Sequence, residues 1–218
     1  MKIAIDGPSG SGKTTIAQRL AKKLNILYID TGAMYRALAY KAFCNNIDYD
    51  DEKEIVELLN SIQLKLIIKD GFQHIYINDE DVSEKIRKPE IAIAASKVSV
   101  FEKVREKMVA LQRKIADNQS VIMDGRDIGS VVLKDADFKF YLTASPEVRA
   151  KRRVEEYNLK GENKDFGITL GEINKRDKDD MTRKHSPLTI AKDAIVLDTS
   201  NMSLEDVFNY ILNIVNPV

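Results

Sequence analysis

The run Gly7-Pro8-Ser9-Gly10-Ser11-Gly12-Lys13-Thr14-Thr15 follows the apolar segment KIAID with no spacer and leads into the helix-like TTIAQRLAKKL. It fits the spacing G-x-x-x-x-G-K-[ST] in full, with a strand signal before it and a helix signal after it. Glycines let successive backbone N–H groups turn inward around phosphate oxygens. The N-terminus of the following helix adds partial positive charge. In such a cradle the lysine, Lys13, reaches the β- and γ-phosphates of a nucleoside triphosphate and the hydroxyl of Thr14 reaches Mg²⁺. Motif and context together outweigh a plain glycine-rich turn, but they identify the donor and not the reaction.

Two further matches do not narrow the reaction. Asn174-Lys175-Arg176-Asp177 spells the guanine reader N-K-x-D, yet it lies in the polar helical stretch GEINKRDKDDMTRK, and no convincing D-x-x-G follows the third apolar run. Asp165-Phe166-Gly167 spells the metal-binding triplet of protein kinases without an H-R-D-type loop, beside a cradle of the other type. Both read as chance.

The arginines say more. Arg36 follows the second apolar run and Arg126 the third; Arg149 and Arg153 are four apart, hence on one helix face; Arg176, Asp180 and Arg183 have helical spacing. Phosphoryl transfer is catalysed mainly by positioning and by cationic stabilisation of phosphate oxygens, and the planar guanidinium grips two oxygens at once. So many arginines predict an anionic acceptor, a phosphate being one such group, although most of the 34 basic residues need be no more than solvated surface charges. An ionised acceptor needs no general base. Asp124 ends the third run, where a carboxylate can support Mg²⁺; a turn or a pairing with a nearby arginine stays equally open. His74 and His185 are solitary, and there is no metal-ligand cluster.

The elements that must position these groups are legible as a rhythm. KIAID, ILYID, SVIMD, DFKFYLT and AIVLD predict buried strands. Between most of them lie helical patterns: Ile16, Ala17, Leu20, Ala21 and Leu24 in one, Val104, Met108, Leu111 and Ile115 in another. A last helix opens at Ser203 with Asp206 three residues on, and its stripe is Leu204, Val207, Phe208, Ile211 and Val215. The alternation predicts an α/β fold with a parallel sheet covered on both faces, whose ligands bind beyond the carboxyl ends of the strands. Four runs end in aspartate, Asp6, Asp30, Asp124 and Asp198; any one of these alone reads first as the start of a turn. LKLIIKDGFQHIYINDEDV breaks the rhythm as a hairpin about Lys69-Asp70-Gly71, inserted between helical stretches. The charged YNLKGENKDFG, from Tyr157, reads as a mobile loop or lid.

A chain of 218 residues suits one domain, and 34 basic against 34 acidic residues argue against a nucleic-acid binder working by broad electrostatics. The single cysteine, Cys44, allows no internal disulfide and is expected to be a buried small apolar residue. Met1 leads almost directly into a strand-like run, with no leader and no membrane-length apolar stretch, so a cytoplasmic location is expected. Nothing reads as a coiled coil or a dimer helix, so a monomer is expected.

In order along essentially the whole chain, GPSGSGKTT, DTGAMYRA, AIAASKVSVFEKVRE, DGRDIGSVV, ASPEVRAKRR and RDKDDMTRKHSPL resemble the bacterial cytidylate kinases, P-loop kinases of nucleoside monophosphates. The resemblance implies transfer of the γ-phosphoryl group of ATP, with Mg²⁺, to CMP or dCMP. It implies a three-layer P-loop core with a five-stranded parallel sheet, at about residues 1–35, 98–150 and 168–218, carrying an inserted α+β monophosphate-binding lobe with a hairpin at about 36–97 and a short lid at about 151–167. By the same resemblance Ser96, Arg105 and Asp127 read the cytosine, Arg176 and Asp180 contact the sugar hydroxyls, and Arg36, Arg126 and Arg183 clamp the acceptor phosphate. Thr31 and Tyr35 line that pocket. Arg149 and Arg153 close on ATP, the first nearer the adenine and the second nearer the phosphates, so that Lys13, Arg126, Arg153 and Arg183 form the catalytic set. Other readings are a kinase for UMP, AMP or a non-nucleotide acceptor, a nucleotide-gated switch, and a nucleic-acid-binding ATPase.

Overall fold

The computed structural model describes residues 1–69, 72–159 and 161–216. They fall into two compact units, Met1–Tyr28 with Gln119–Val218, and Ile29–Asn118.

The first unit carries the site-bearing sheet. Strands β1 (Lys2–Asp6), β2 (Leu27–Asp30), β6 (Val121–Gly125), β7 (Phe138–Thr143) and β8 (Ile195–Asp198) make a five-stranded parallel sheet in the order β2-β6-β1-β7-β8. Central β1 pairs in parallel with β6, Asp6 opposite Gly125, and with β7, Asp6 opposite Tyr141. The carboxyl ends of these strands therefore lie level, as the reading of the aspartates requires. Helix α1 (Lys13–Leu24) and helix α8 (Leu204–Val215) pack their apolar stripes with Ile3, Ile5, Phe140 and Leu142 of the sheet in one core, except that Leu204, at the start of α8, stays exposed. Helix α8 opens with a reciprocal capping box between Ser203 and Asp206. Helices α6 (Pro146–Leu159) and α7 (Phe166–Thr182) follow β7. They take the ends of YNLKGENKDFG into helix, so the loop reading holds only for its middle, of which Lys160 lies outside the described residues.

The second unit takes in the last two residues of β2 and then helix α2 (Thr31–Cys44), whose first turn is capped by Asp30 Oδ1 accepting the Ala33 N–H at 2.9 Å. Helix α3 (Glu52–Ser61) is capped likewise by Asp51. Strands β3 (Leu64–Lys69) and β4 (Phe72–Ile77) pair antiparallel from Leu64 opposite Ile77 to Lys69 opposite Phe72. The hairpin is thus as expected, while its turn residues Asp70 and Gly71 lie outside the described residues. A short β5 (Glu80–Asp81) extends it to three strands. Helix α4 (Pro89–Val98) starts on proline and helix α5 (Glu102–Ala116) completes the unit.

Three sequence expectations are corrected. Strand β8 is not buried: at the sheet edge it pairs only with β7, and Ile195 and Val196 stand exposed. The buried face of α5 is Val104, Arg105, Met108, Val109, Gln112 and Ala116, because two polar side chains sit where a count of apolar residues selects Leu111 and Ile115. Cys44 is exposed, as the last residue of α2 beside the equally exposed Phe43.

Candidate active site

The first unit shapes the glycine-rich loop after β1 by backbone constraint. Gly7 has φ +149°, and a Cβ there would stand 2.0 Å from the carbonyl oxygen of Leu142, so no side chain fits. Gly10, at φ +77°, packs on Arg149. The buried Ser11 Oγ has no hydrogen-bond partner among the described residues, an open donor within the cradle itself. Lys13, buried at the first position of α1, donates from Nζ to the carbonyl of Pro8 at 2.7 Å. Burial, with Arg126 and Arg176 adding repulsion, lowers its pKa to about 7, against the pull of Asp124 and Asp180. With the repulsion and burial outweighing Asp124 and Asp180, the ammonium gains from a further anion, and a polyphosphate supplies one.

Thr14 Oγ1 donates to Asp124 Oδ2 at 2.7 Å, and Asp124 Oδ1 accepts from the Tyr28 hydroxyl at 2.9 Å. Asp124 is thereby aimed at the cradle threonine. Among the described residues no cluster of three or more histidine, cysteine or acidic side chains could hold a metal by itself. One hydroxyl and one carboxylate fit an ion bound chiefly through nucleotide phosphates and water, as Mg²⁺ is.

Beyond the strand ends, the same unit gathers charges. Arg126 Nε donates to Asp180 Oδ2 at 2.8 Å. Arg183 stands 3.6 Å from Asp180 Oδ1 and 4.0 Å from Asp127 Oδ1, and its Nε donates to the carbonyl of Ser186 at 2.6 Å. Asp180 therefore sits between two guanidinium groups. Burial alone would raise its pKa, but Arg126, Arg176 and Arg183 together hold it below the usual carboxylate range. Arg176 lies one helical turn before Asp180 on α7. Arg126, Asp127, Arg176, Asp180 and Arg183, predicted from scattered motifs, are thus brought into one electrostatic cluster.

Arg149 and Arg153 share α6 but not an environment. Arg149 is buried, donating to the carbonyls of Ala144 at 2.8 Å and of Ser9 at 3.2 Å, with Asp177 2.6 Å away. It braces the cradle from behind. Arg153 is half-buried, 3.3 Å from Glu156 and beside the Tyr157 ring.

The second unit groups its own residues. Arg105 is buried, donates to the Ser99 carbonyl at 3.1 Å, and holds its guanidinium carbon 5.5 Å from the centroid of Tyr35. Arg36 pairs with Asp30 at 2.8 Å. Thr31 is buried in the first turn of α2, and the half-buried Ser96 on α4 donates to the Ala92 carbonyl at 3.3 Å. His74 pairs with Asp81 at 2.8 Å, a local contact on the small sheet.

Asp177 was missed, because its tetrapeptide looked like a chance motif. The available signal was the buried face of α7, where Thr169, Ile173, Asp177 and Asp180 recur at helical spacing. Acidic residues on an inward stripe require partners, and Arg149 is one.

The family model described as Cytidylate kinase matches residues 3–217. A cytidylate kinase of Caldicellulosiruptor bescii is 49% identical over 214 residues, 98% of this chain and 95% of that protein. One from Caldanaerobacter subterraneus subsp. tengcongensis is 52% identical over 207 residues, 95% of this chain and 91% of that one. The solved structure of a shikimate kinase from Bacteroides thetaiotaomicron superposes with a TM-score of 0.51 at 14% identity, covering 99% of this chain and 98% of that one, a likeness of fold alone. Among the described residues no helix is long and apolar enough to cross a membrane.

Proposed function

The chain belongs to the cytidylate kinase family and is a phosphotransferase, and on that premise we propose that it transfers the γ-phosphoryl group of ATP to CMP or dCMP, giving ADP and the diphosphate. The observation that carries the reading is the buried cluster of Arg126 and Arg183 about Asp180, in the same unit as the cradle. A triphosphate hydrolase needs one anion site; this unit has a second set of cations beyond the first.

An ionised oxygen of the acceptor phosphate attacks the γ-phosphorus, and the bond from that phosphorus to the bridging oxygen of ADP breaks. No proton has to be removed from the nucleophile, so the protein's part is alignment and charge. Lys13 and the cradle N–H groups, with Pro8, Ser9, Ser11 and Thr15, hold the donor. Mg²⁺, held by Thr14 with Asp124 in support, would neutralise charge on the β- and γ-phosphates. Arg36, Arg126 and Arg183 hold the acceptor phosphate, and Arg153 meets the transferred group. Arg149 acts through the cradle it braces, on the adenine side. Arg176 and Asp180 meet the sugar hydroxyls, so Asp180 exchanges part of its arginine pairing when the acceptor binds.

Ser96, Arg105 and Asp127 read the base, with Thr31 and Tyr35 lining its pocket. A carboxylate at Asp127 accepts from the exocyclic amine of cytosine, whereas uracil presents a carbonyl there and leaves it unpaired. Residues 36–97 serve as the monophosphate lobe and 151–167 as the lid over a core made of the rest; closing them excludes water as a competing acceptor. We read the enzyme as a cytoplasmic monomer.

The test is ADP release from Mg·ATP without acceptor and then with CMP, dCMP, UMP, AMP and GMP. Release is expected with CMP and dCMP and at background level without acceptor. Release independent of acceptor would falsify the kinase reading; preference for another monophosphate would remove the base-reading roles and keep the rest.

A further inference from the structure

Asp6, the last residue of β1, plays no part in the chemistry above, yet it is buried and both its oxygens are engaged. Oδ1 accepts the N–H of Ile128 and Oδ2 the N–H of Gly129, each at 2.8 Å. The place matters. Asp6 lies opposite Gly125, the last residue of β6, where that chain leaves the sheet. Arg126 and Asp127 come next, and then a single π-type turn, Ile128–Val132. The first N–H groups of such a turn have no partner inside it, and Asp6 meets two of them. The Asp127 carbonyl meanwhile accepts from Val131 and Val132 at 2.9 and 3.1 Å. The backbone of Asp127 is thus held by the turn from one side and, through the next two residues, by Asp6 from the other.

We propose that Asp6 is a positioning residue of the acceptor end: by holding Ile128 and Gly129 it fixes the loop that carries Arg126 and Asp127, and so sets the enzyme's preference for the acceptor base. The preference part rests on the reading of Asp127 as the partner of the cytosine amine. Only a carboxylate of this length offers two acceptor oxygens to adjacent N–H groups; an asparagine would turn an NH₂ toward one of them. The arrangement also carries a cost. Burial raises the Asp6 pKa to about 6 despite the two backbone hydrogen bonds, with Asp127 adding to the rise and Lys13 opposing it. A carboxyl whose pKa is raised on folding destabilises the fold most fully above pH 6, and the cost fades as pH falls toward 3.8. A residue kept for packing alone has no reason to bear it.

The experiment is Asp6→Asn, assayed with CMP and UMP as acceptors at saturating Mg·ATP, with KM for ATP and the melting temperature measured alongside. The expected result is a fall of tenfold or more in the CMP-to-UMP ratio of kcat/KM, on the order of 1.4 kcal/mol of lost discrimination, carried mainly by KM for CMP. KM for ATP should stay within twofold and melting should not fall. Hydrogen exchange at the Ile128 and Gly129 amides should quicken at least tenfold in the variant. An unchanged ratio with unchanged exchange overturns the proposal, as does a parallel rise in both KM values, which would make Asp6 a cradle residue. Asp127→Ala run beside it separates the two readings: if that variant keeps the CMP preference, the base-reading role is lost, and the exchange result alone decides whether Asp6 fixes the loop. Should Asp6→Asn not fold, the native protein is read directly, and rapid exchange at both amides counts against it.

Discussion

On the proposed reading the cradle and the arginine cluster of the first unit both hold phosphate, and they are made in opposite ways. The cradle is backbone: its shape is forced by glycines, and at Gly7 by a carbonyl with no room for a Cβ. The cluster is side chain: Arg126, Arg183, Asp127 and Asp180 hold one another through ion pairs and a hydrogen bond. A backbone site keeps its shape whatever is bound. A side-chain site is pre-neutralised, and it must trade internal ion pairs for ligand oxygens. On the proposed reading the first holds the donor and the second the acceptor.

The comparison can be broken at its side-chain end first. Asp180→Asn leaves two buried guanidinium groups without their shared carboxylate and is expected to cost about 3–5 kcal/mol of stability. Denaturant unfolding measures it, and added phosphate should restore part of the loss. A stability change under ~1 kcal/mol would mean that the arginines never depended on Asp180.

At the backbone end, Gly7→Ala forces the cradle away from Leu142. A displacement of this kind is expected to lower turnover at least ~100-fold and to lower the melting temperature as well, because the clash is with backbone and the φ is strained for alanine. Steady-state kinetics and calorimetry read the two together. Near-normal turnover would show that the cradle is more pliant than its glycines suggest.

Lys13 belongs to both ends, since its charge answers to the cradle and to Arg126. Burial lowers its pKa to about 7, and bound phosphates should raise it again. Binding of Mg·ATP is then expected to take up more proton at pH 8 than at pH 6. Calorimetry in buffers of different ionisation enthalpy measures this, and uptake that does not change with pH would show the lysine charged throughout.

The smallest effect is a control on the surface. Arg19 and Glu205 form an ion pair, and Arg19 also lies over the Phe208 ring. Glu205→Ala should cost under ~1 kcal/mol with unchanged kinetics. A larger loss would blur the distinction between the buried and exposed pairs of this unit.

Sequence by itself determined what is local. A glycine spacing dictates a phosphate cradle wherever it lies between strand and helix, and apolar runs alternating with helical stripes dictate a parallel sheet with aspartates at its carboxyl edge. The hairpin and the capping box of α8 were equally readable, because each depends on residues a few positions apart. What lay beyond sequence was decided by partners distant along the chain. That Asp124 meets Thr14, 110 residues away, rather than starting a turn, could be known only once β6 lay beside β1. That Arg149 and Asp177 pair under the cradle, and that Asp6 holds the loop after β6, likewise required the folded sheet. The exposure of β8 and Cys44 was hidden for the same reason. Burial depends on which neighbours tertiary packing supplies, and an apolar side chain carries no mark of whether its strand will be central or at an edge.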